Sequence, residues 1–93
     1  MKINRDQLKD VVLEVAEEQF GSNTFGRRAL MLAVEQFVKH FQLWTPADDE
    51  DSESADAKSK GLAEIDWAIS TLKQEGHLLN PARDQWRVAP NQE

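Results

Sequence analysis

Apolar residues recur at helical spacing in three stretches of this 93-residue chain. The first stretch begins with a capping-box pattern, in which Asn4 is followed three residues later by Gln7, and it ends at Gly21. Its apolar positions are Leu8, Val11, Val12, Val15 and Ala16. The pattern predicts a first helix near residues 5–20 that packs one face on a core and presents an acidic face outward.

The second stretch, "RRALMLAVEQFVKHF", predicts a helix near residues 26–43. Pro46 requires the chain to leave the helical region before it. The tetrapeptide "SNTF" ahead of the stretch can either cap this helix or form a short edge strand. The third stretch predicts a helix near residues 61–75 that stops at Gly76. Its apolar positions are Leu62, Ile65, Ala68, Ile69 and Leu72.

The pattern changes after Gly76, where two short apolar runs, "HLLN" and "QWRV", flank a Pro-Ala-Arg-Asp turn. These runs predict a β-hairpin with strands near 77–80 and 85–88 and a four-residue loop from Pro81 to Asp84. A two-stranded hairpin is marginal alone, so it must pack on the helices. The expected fold is mainly α with a small β-hairpin, a three-helix winged helix.

The segment "PADDEDSESADAKSKG" between the second and third helices has no large apolar residue. It offers nothing to bury against the entropy of ordering, so we expect a flexible acidic connector at about 46–59 inside a single domain of residues 1–93. A cation site is the alternative interpretation of "DDEDSE". It is less favoured because the glycine and the spaced carboxylates of a calcium loop are missing.

Composition narrows the function. The net charge of −6, from 17 acidic and 11 basic residues, argues against a broadly positive surface that coats nucleic acid without specificity. The charged start "MKINRDQLKD" lacks the apolar run of a signal peptide, and no window approaches the ~20 apolar residues of a membrane span. With no cysteine in the chain, we expect a cytoplasmic protein that does not contact a membrane.

The chain also lacks the residue groupings that carry catalysis or hold metals. His40 and His77 are far apart, with no second His or Cys at ligand spacing. The four glycines are scattered and form no phosphate-binding loop, and no Ser-His-Asp or Cys-His grouping can be assembled. We therefore expect no enzyme activity, no metal and no cofactor.

Residues 65–90, "IDWAISTLKQEGHLLNPARDQWRVAP", resemble the end of the N-terminal domain of Mrr-type restriction endonucleases. The shared features are a Trp-Ala pair on the helix, a Leu-Lys step, a Gly-Leu-Leu step that His77 interrupts or shifts by one, a Pro-Arg turn and an aromatic-Arg strand. The matching positions are Trp67, Ala68, Leu72, Lys73, Gly76, Leu78, Leu79, Pro81, Arg83, Trp86 and Arg87. The resemblance implies a winged helix that helps a restriction enzyme hold DNA. Asp84 departs from it, because the family's turn favours glycine there, and 93 residues leave no room for a nuclease domain.

A winged helix of this order would gather donors and cations around its third helix and its hairpin, so double-stranded DNA is the expected partner. Glu64 and Asp66 on the outward side of the same helix would repel phosphate. The candidate DNA-binding residues are Arg27, Arg28, Lys58, Lys60, Ser70, Thr71, Lys73, Gln74, His77, Arg83 and Arg87.

Two hypotheses from different classes follow. The first is a small stand-alone winged-helix DNA-binding protein, a regulator or an accessory to a restriction or mobile-element system. It would act as a dimer, because one small module contacts few base pairs. The alternative is a winged-helix module for protein interaction or dimerisation that does not bind DNA, with Phe25, Met31 and Trp44 at its interface. The sign of the charge over the third helix and the hairpin distinguishes them.

Overall fold

The structure is a computed structural model, and it describes residues 1–51 and 59–90. Three α-helices are followed by a two-stranded antiparallel hairpin, which confirms the predicted order of elements. The helices are α1 (Arg5–Phe20), α2 (Arg27–His40) and α3 (Lys60–Gln74), with a short 3-10 helix (Pro46–Asp49) before α3 and strands β1 (Leu78–Ala82) and β2 (Gln85–Val88) after it.

The predicted capping box starts α1. The backbone N–H of Gln7 donates to the side chain of Asn4 at 2.8 Å, and the Asn4 N–H donates to the Gln7 side chain at 3.0 Å. At the other end Gly21 has a φ of +57° and donates its N–H to the carbonyl of Glu17 at 3.0 Å. Both helix ends therefore follow from local sequence.

The second helix ends earlier than the apolar spacing predicts. Gln42 has a φ of +59°, and the N–H of Leu43 donates back to the carbonyl of Val38 at 2.8 Å. The chain thus turns out of the helix three residues ahead of the predicted end at 43, although Phe41 continues the apolar spacing.

The core lies between the three helices and is closed at one end by the hairpin. Helix α3 contacts α1, α2, the 3-10 helix and β1, so it is the central element. Neighbouring elements cover two sides of α3, which we call its flanks, and its outer face is not covered by another described element. The buried apolar side chains are Leu8, Val12, Val15, Ala16, Phe25, Leu30, Val34, Val38, Ile65, Ala68, Ile69, Leu72, Leu78 and Trp86.

The hairpin loop is shorter than predicted. Strand β1 continues through Pro81, and the loop consists of Arg83 and Asp84 alone. Asp84 has a φ of +56°, a conformation that Asp tolerates better than most residues and that a tight turn needs. The Asn80 amide donates to the carbonyls of Ala82 and Gln85, at 2.7 and 3.0 Å, and joins the two strands there. A bulge between Leu79 and Ala82 adjusts the register.

Phe25 decides the alternative that "SNTF" left open. Its N–H donates to the Trp86 carbonyl at 2.8 Å, and its carbonyl accepts from the Trp86 N–H at 2.9 Å. The residue therefore forms a single antiparallel bridge with β2, the strand-like structure of the two predicted. Strand β2 lies between β1 and this bridge, which leaves Pro81 on an edge strand where its missing N–H costs little.

The predicted connector is ordered where it begins. Asp48 is only 4% exposed, and its carboxylate accepts from the Thr45 N–H at 2.8 Å, the Thr45 hydroxyl at 3.0 Å and the N-terminal ammonium of Met1 at 3.0 Å. Burial raises the pKa of Asp48, but these bonds outweigh burial and hold the pKa below its ordinary value. The apolar pattern missed this structure because hydrogen bonds, not apolar burial, stabilise it. The remainder, 52–58, lies outside the described residues.

Candidate nucleic-acid interface

On the side of α3 that faces α1, oppositely charged side chains pair across the two helices. The guanidinium of Arg5 lies 3.1 Å from the Glu64 carboxylate and 4.6 Å from the centre of the Trp67 ring. The Lys9 ammonium lies 2.9 Å from Glu75, and the hydrogen bond to Glu75 is the main cause that raises the pKa of Lys9. This α1 flank is thus closed by paired charges.

On the opposite side of α3, Arg27 from the start of α2 reaches across to Asp66. Its guanidinium donates to the Asp66 carboxylate through Nε at 2.7 Å and through Nη2, and Nη2 also donates to the Asp66 carbonyl at 3.0 Å and the Ser70 hydroxyl at 2.8 Å. The side chains of Arg27 and Asp66 are 27% and 29% exposed. Arg27 and Ser70, both candidate DNA contacts, therefore contact each other.

Trp86 joins the hairpin to this flank. Its ring is 6% exposed, with the Arg27 guanidinium 5.0 Å and the Lys73 ammonium 5.7 Å from the ring centre. Both distances lie within the range of cation–π attraction. The start of α2, the end of α3 and strand β2 therefore meet at one tryptophan. Arg87, the next residue on β2, is exposed.

Asp84 ties the hairpin turn to the start of α2. Its carboxylate accepts from the backbone N–H of Arg27 at 3.2 Å, in the place of an N-cap side chain that Gly26 cannot supply. Arg28 and Arg83, the chain neighbours of this bonded pair, are both exposed at that corner. Sequence reasoning missed the contact between Asp84 and Arg27, because the two residues are 57 positions apart.

The basic residues that form ion pairs lie in different places from those that form none among the described residues. Of the 11 Lys and Arg residues, Lys58 lies outside the described residues, and the other ten divide equally. The five in ion pairs are Arg5, Lys9, Arg27, Lys39 and Lys60. The five that pair with none of the residues in 1–51 and 59–90 are Lys2, Arg28, Lys73, Arg83 and Arg87. All but Lys2 lie on the hairpin or beside it, and we call those four residues the cationic surface.

The unpaired acids collect elsewhere. Asp10, Glu14, Glu17 and Glu18 are exposed on the outward face of α1, and within the described ranges none of them forms an ion pair. The net charge of −6 is therefore unevenly distributed, with surplus negative charge on α1 and surplus positive charge around the hairpin.

The remaining candidate DNA contacts lie in different places. Gln74 and His77 are exposed, and Thr71 is half-buried, all toward the hairpin end of α3. Lys60 is at the other end of α3, where its ammonium lies 3.5 Å from Glu50. Lys58 is outside the described residues. Lys60 therefore lies at the opposite end of α3 from the hairpin and outside the cationic surface.

The candidate interface residues are less exposed than a docking surface needs. Phe25 is 6% exposed and stacks on Phe20 with 4.5 Å between ring centres, so it belongs to the core. Trp44 is half-buried, donates from its indole nitrogen to Asp49 at 3.0 Å, and occupies the space that a side chain on Gly61 would need. Met31 remains at the surface, half-buried.

In the part of the chain that the structure describes, no helix is long and apolar enough to cross a membrane, and no three His, Asp or Glu residues are grouped to hold a metal ion.

Comparisons with protein-family models, with curated proteins and with solved structures gave no match. A functional proposal therefore rests on the geometry and charge of the chain itself.

Proposed function

We propose that this chain is a small winged-helix protein that binds double-stranded DNA, with the hairpin as its wing. The observation that carries the proposal is the cationic surface, in which four basic side chains with no ion-pair partner among the described residues lie on or beside the hairpin of an otherwise acidic molecule. A side chain that neutralises a phosphate releases the counterions condensed there, and this release drives association with duplexes.

The charge distribution also sets the orientation. The exposed acids of α1 repel a polyanion, whereas the hairpin attracts it, so the domain approaches a duplex from one side only. Arg83 at the turn and Arg87 on β2 extend from the rigid hairpin, which hydrogen bonds join to Phe25. They are the residues we expect to hold phosphates.

Helix α3 has few polar side chains that can contact base edges. Ser70 accepts from Arg27, and Glu64 and Asp66 are held in ion pairs, which leaves Thr71 and Gln74 as polar side chains able to reach a groove. Because phosphate contacts position a protein and base contacts specify its site, we expect modest sequence preference. The resemblance of residues 65–90 to the Mrr-type domain supports a role as a regulator or as an accessory to a restriction or mobile-element system.

One observation favours the alternative, an interaction or dimerisation module. Leu32 is 42% exposed and, with Met31 and Leu62, supplies the apolar lining of a groove of about 360 Å³ beside Arg28. An apolar side chain from a partner could fill it. This hypothesis gains support if the cationic surface proves irrelevant to duplex binding.

The test is fluorescence anisotropy of labelled duplexes of unrelated sequence, titrated across a series of salt concentrations. Changing Arg83 and Arg87 together to Ala should weaken binding to every duplex and reduce the salt slope by up to about two phosphate contacts. The double variant Lys2→Ala with Lys39→Ala removes the same charge at the other end of α2. Equal effects of the two double variants, or no duplex binding by the wild type at about 50 mM salt, would overturn the proposal.

A further inference from the structure

Arg27 lies beside the cationic surface, but its positive charge is already paired with Asp66. Its guanidinium shares the Trp86 ring with Lys73 and is bonded to Asp66 and Ser70. At 27% exposure, the side chain is still reachable from solvent. A potential phosphate ligand beside the cationic surface is thus held in an ion pair.

We infer that Asp66 limits the affinity for duplex DNA by competing with phosphate for Arg27. The inference rests on the proposed function. Carboxylate and phosphate oxygens are alternative acceptors for the same guanidinium fork, so Arg27 cannot satisfy both in full. Asp66 also places a negative charge beside the surface that a phosphate must approach.

The hairpin does not depend on this ion pair for its position. Two backbone hydrogen bonds join Phe25 to Trp86, the Asp84 carboxylate accepts from the Arg27 N–H, and the Trp86 ring is buried. The change Asp66→Asn removes the charge but keeps an oxygen that can accept from Arg27. The substitution therefore tests charge competition with little disturbance of the fold.

The matched control is Asp10→Asn, which removes one exposed charge on α1. In salt titrations with a labelled duplex, Asp66→Asn should bind about fivefold more tightly than the wild type at low salt, with a slope steeper by about one contact. Asp10→Asn should give a smaller gain and an unchanged slope. The loss caused by Arg27→Gln should be larger in the Asp66→Asn background than in the wild type, since the released guanidinium is then a phosphate contact.

Each outcome separates the two proposals. If the wild type binds duplex and Asp66→Asn binds no more tightly than Asp10→Asn, the competition is refuted while DNA binding stands. If the wild type binds no duplex, the proposed function is overturned, and the competition is overturned with it. Thermal unfolding of every variant establishes that it is folded, and Asp66→Ser supplies a second neutral variant if the Asn side chain disturbs the flank.

Discussion

The two flanks of α3 use the same residue types with different results. On the α1 flank, Arg5 pairs with Glu64, and Lys9 pairs with Glu75 and at a longer distance with Asp6, so both cations have acidic partners. On the hairpin flank, one arginine is bonded within a more enclosed pair, and four further cations around it have no ion-pair partner among the described residues. The distribution of unpaired charge, which the net charge of −6 does not reveal, therefore distinguishes the two flanks.

The hairpin flank should also contribute more to stability than the α1 flank. Trp86→Ala removes a ring that is 6% exposed and should cost about 3–5 kcal/mol in the free energy of unfolding, measured by urea denaturation. Trp67→Ala removes the same ring from a half-buried position under Arg5 and should cost about half as much. Equal losses would mean that the hairpin is only loosely attached.

The 3-10 helix before α3 should make the stability of the fold depend on pH, because it contains the buried carboxylate of Asp48. The lowered pKa of Asp48 means that its stabilising contribution is present above the ordinary carboxyl pKa of 3.8 and is lost as the pH falls through the lower folded value. Asp48→Asn should cost about 1–3 kcal/mol near neutral pH and make the acid end of the stability profile flatter. An acid profile as steep in Asp48→Asn as in the wild type would show that Asp48 does not contribute to the acid transition.

Neutralising one acid on each flank compares the ion pairs directly. Asp66→Asn should lower the free energy of unfolding by about 1 kcal/mol, because its partner Arg27 is partly buried and makes several hydrogen bonds. Glu64→Gln should cost less than about 0.5 kcal/mol, because exposed pairs gain little over water. A larger loss at Glu64 in denaturant titrations would reverse this ranking.

The smallest effect is expected for Asp84→Gly at the hairpin turn. Asp84→Gly relieves a φ of +56° but removes the acceptor for the Arg27 N–H, so the two changes should cancel to within about 0.5 kcal/mol. Asp84→Ala loses the acceptor and keeps the strain, and should cost about 1 kcal/mol more than Asp84→Gly. If the two variants have the same melting temperature, the turn conformation contributes nothing.

Apolar spacing and helix-end residues were sufficient to predict the three helices and the hairpin. Asn4, Gln7 and Gly21 set the limits of α1 through contacts a few residues apart. The 3-10 helix was missed because apolar spacing does not reveal the hydrogen bonds that hold Asp48, two from the nearby Thr45 and one from the N-terminal ammonium 47 positions away. A single sequence gives no signal for such pairs.

The sequence predicted which residues form the candidate site, but not which of their side chains are bonded to other residues of the chain. Arg83 and Arg87 lie exposed on the hairpin, as expected from its alternation and turn. Arg27 at the start of the second helix and Ser70 on the third were expected to contact DNA, but they bond to each other. Phe25 was expected at an interface, and its bridge to Trp86 places it in the core. Which polar groups stay unpaired depends on tertiary contacts that spacing does not reveal.

Chemical-shift mapping tests most directly whether the residues of the cationic surface contact duplex DNA. Titrating isotope-labelled protein with a short duplex at low salt should shift the backbone amides of Arg28, Lys73 and residues 83–87 progressively. The amides of Asp10, Glu14 and Glu17 on α1 should stay in place. Shifts spread evenly over both regions, or confined to Met31, Leu32 and Leu62, would contradict the account.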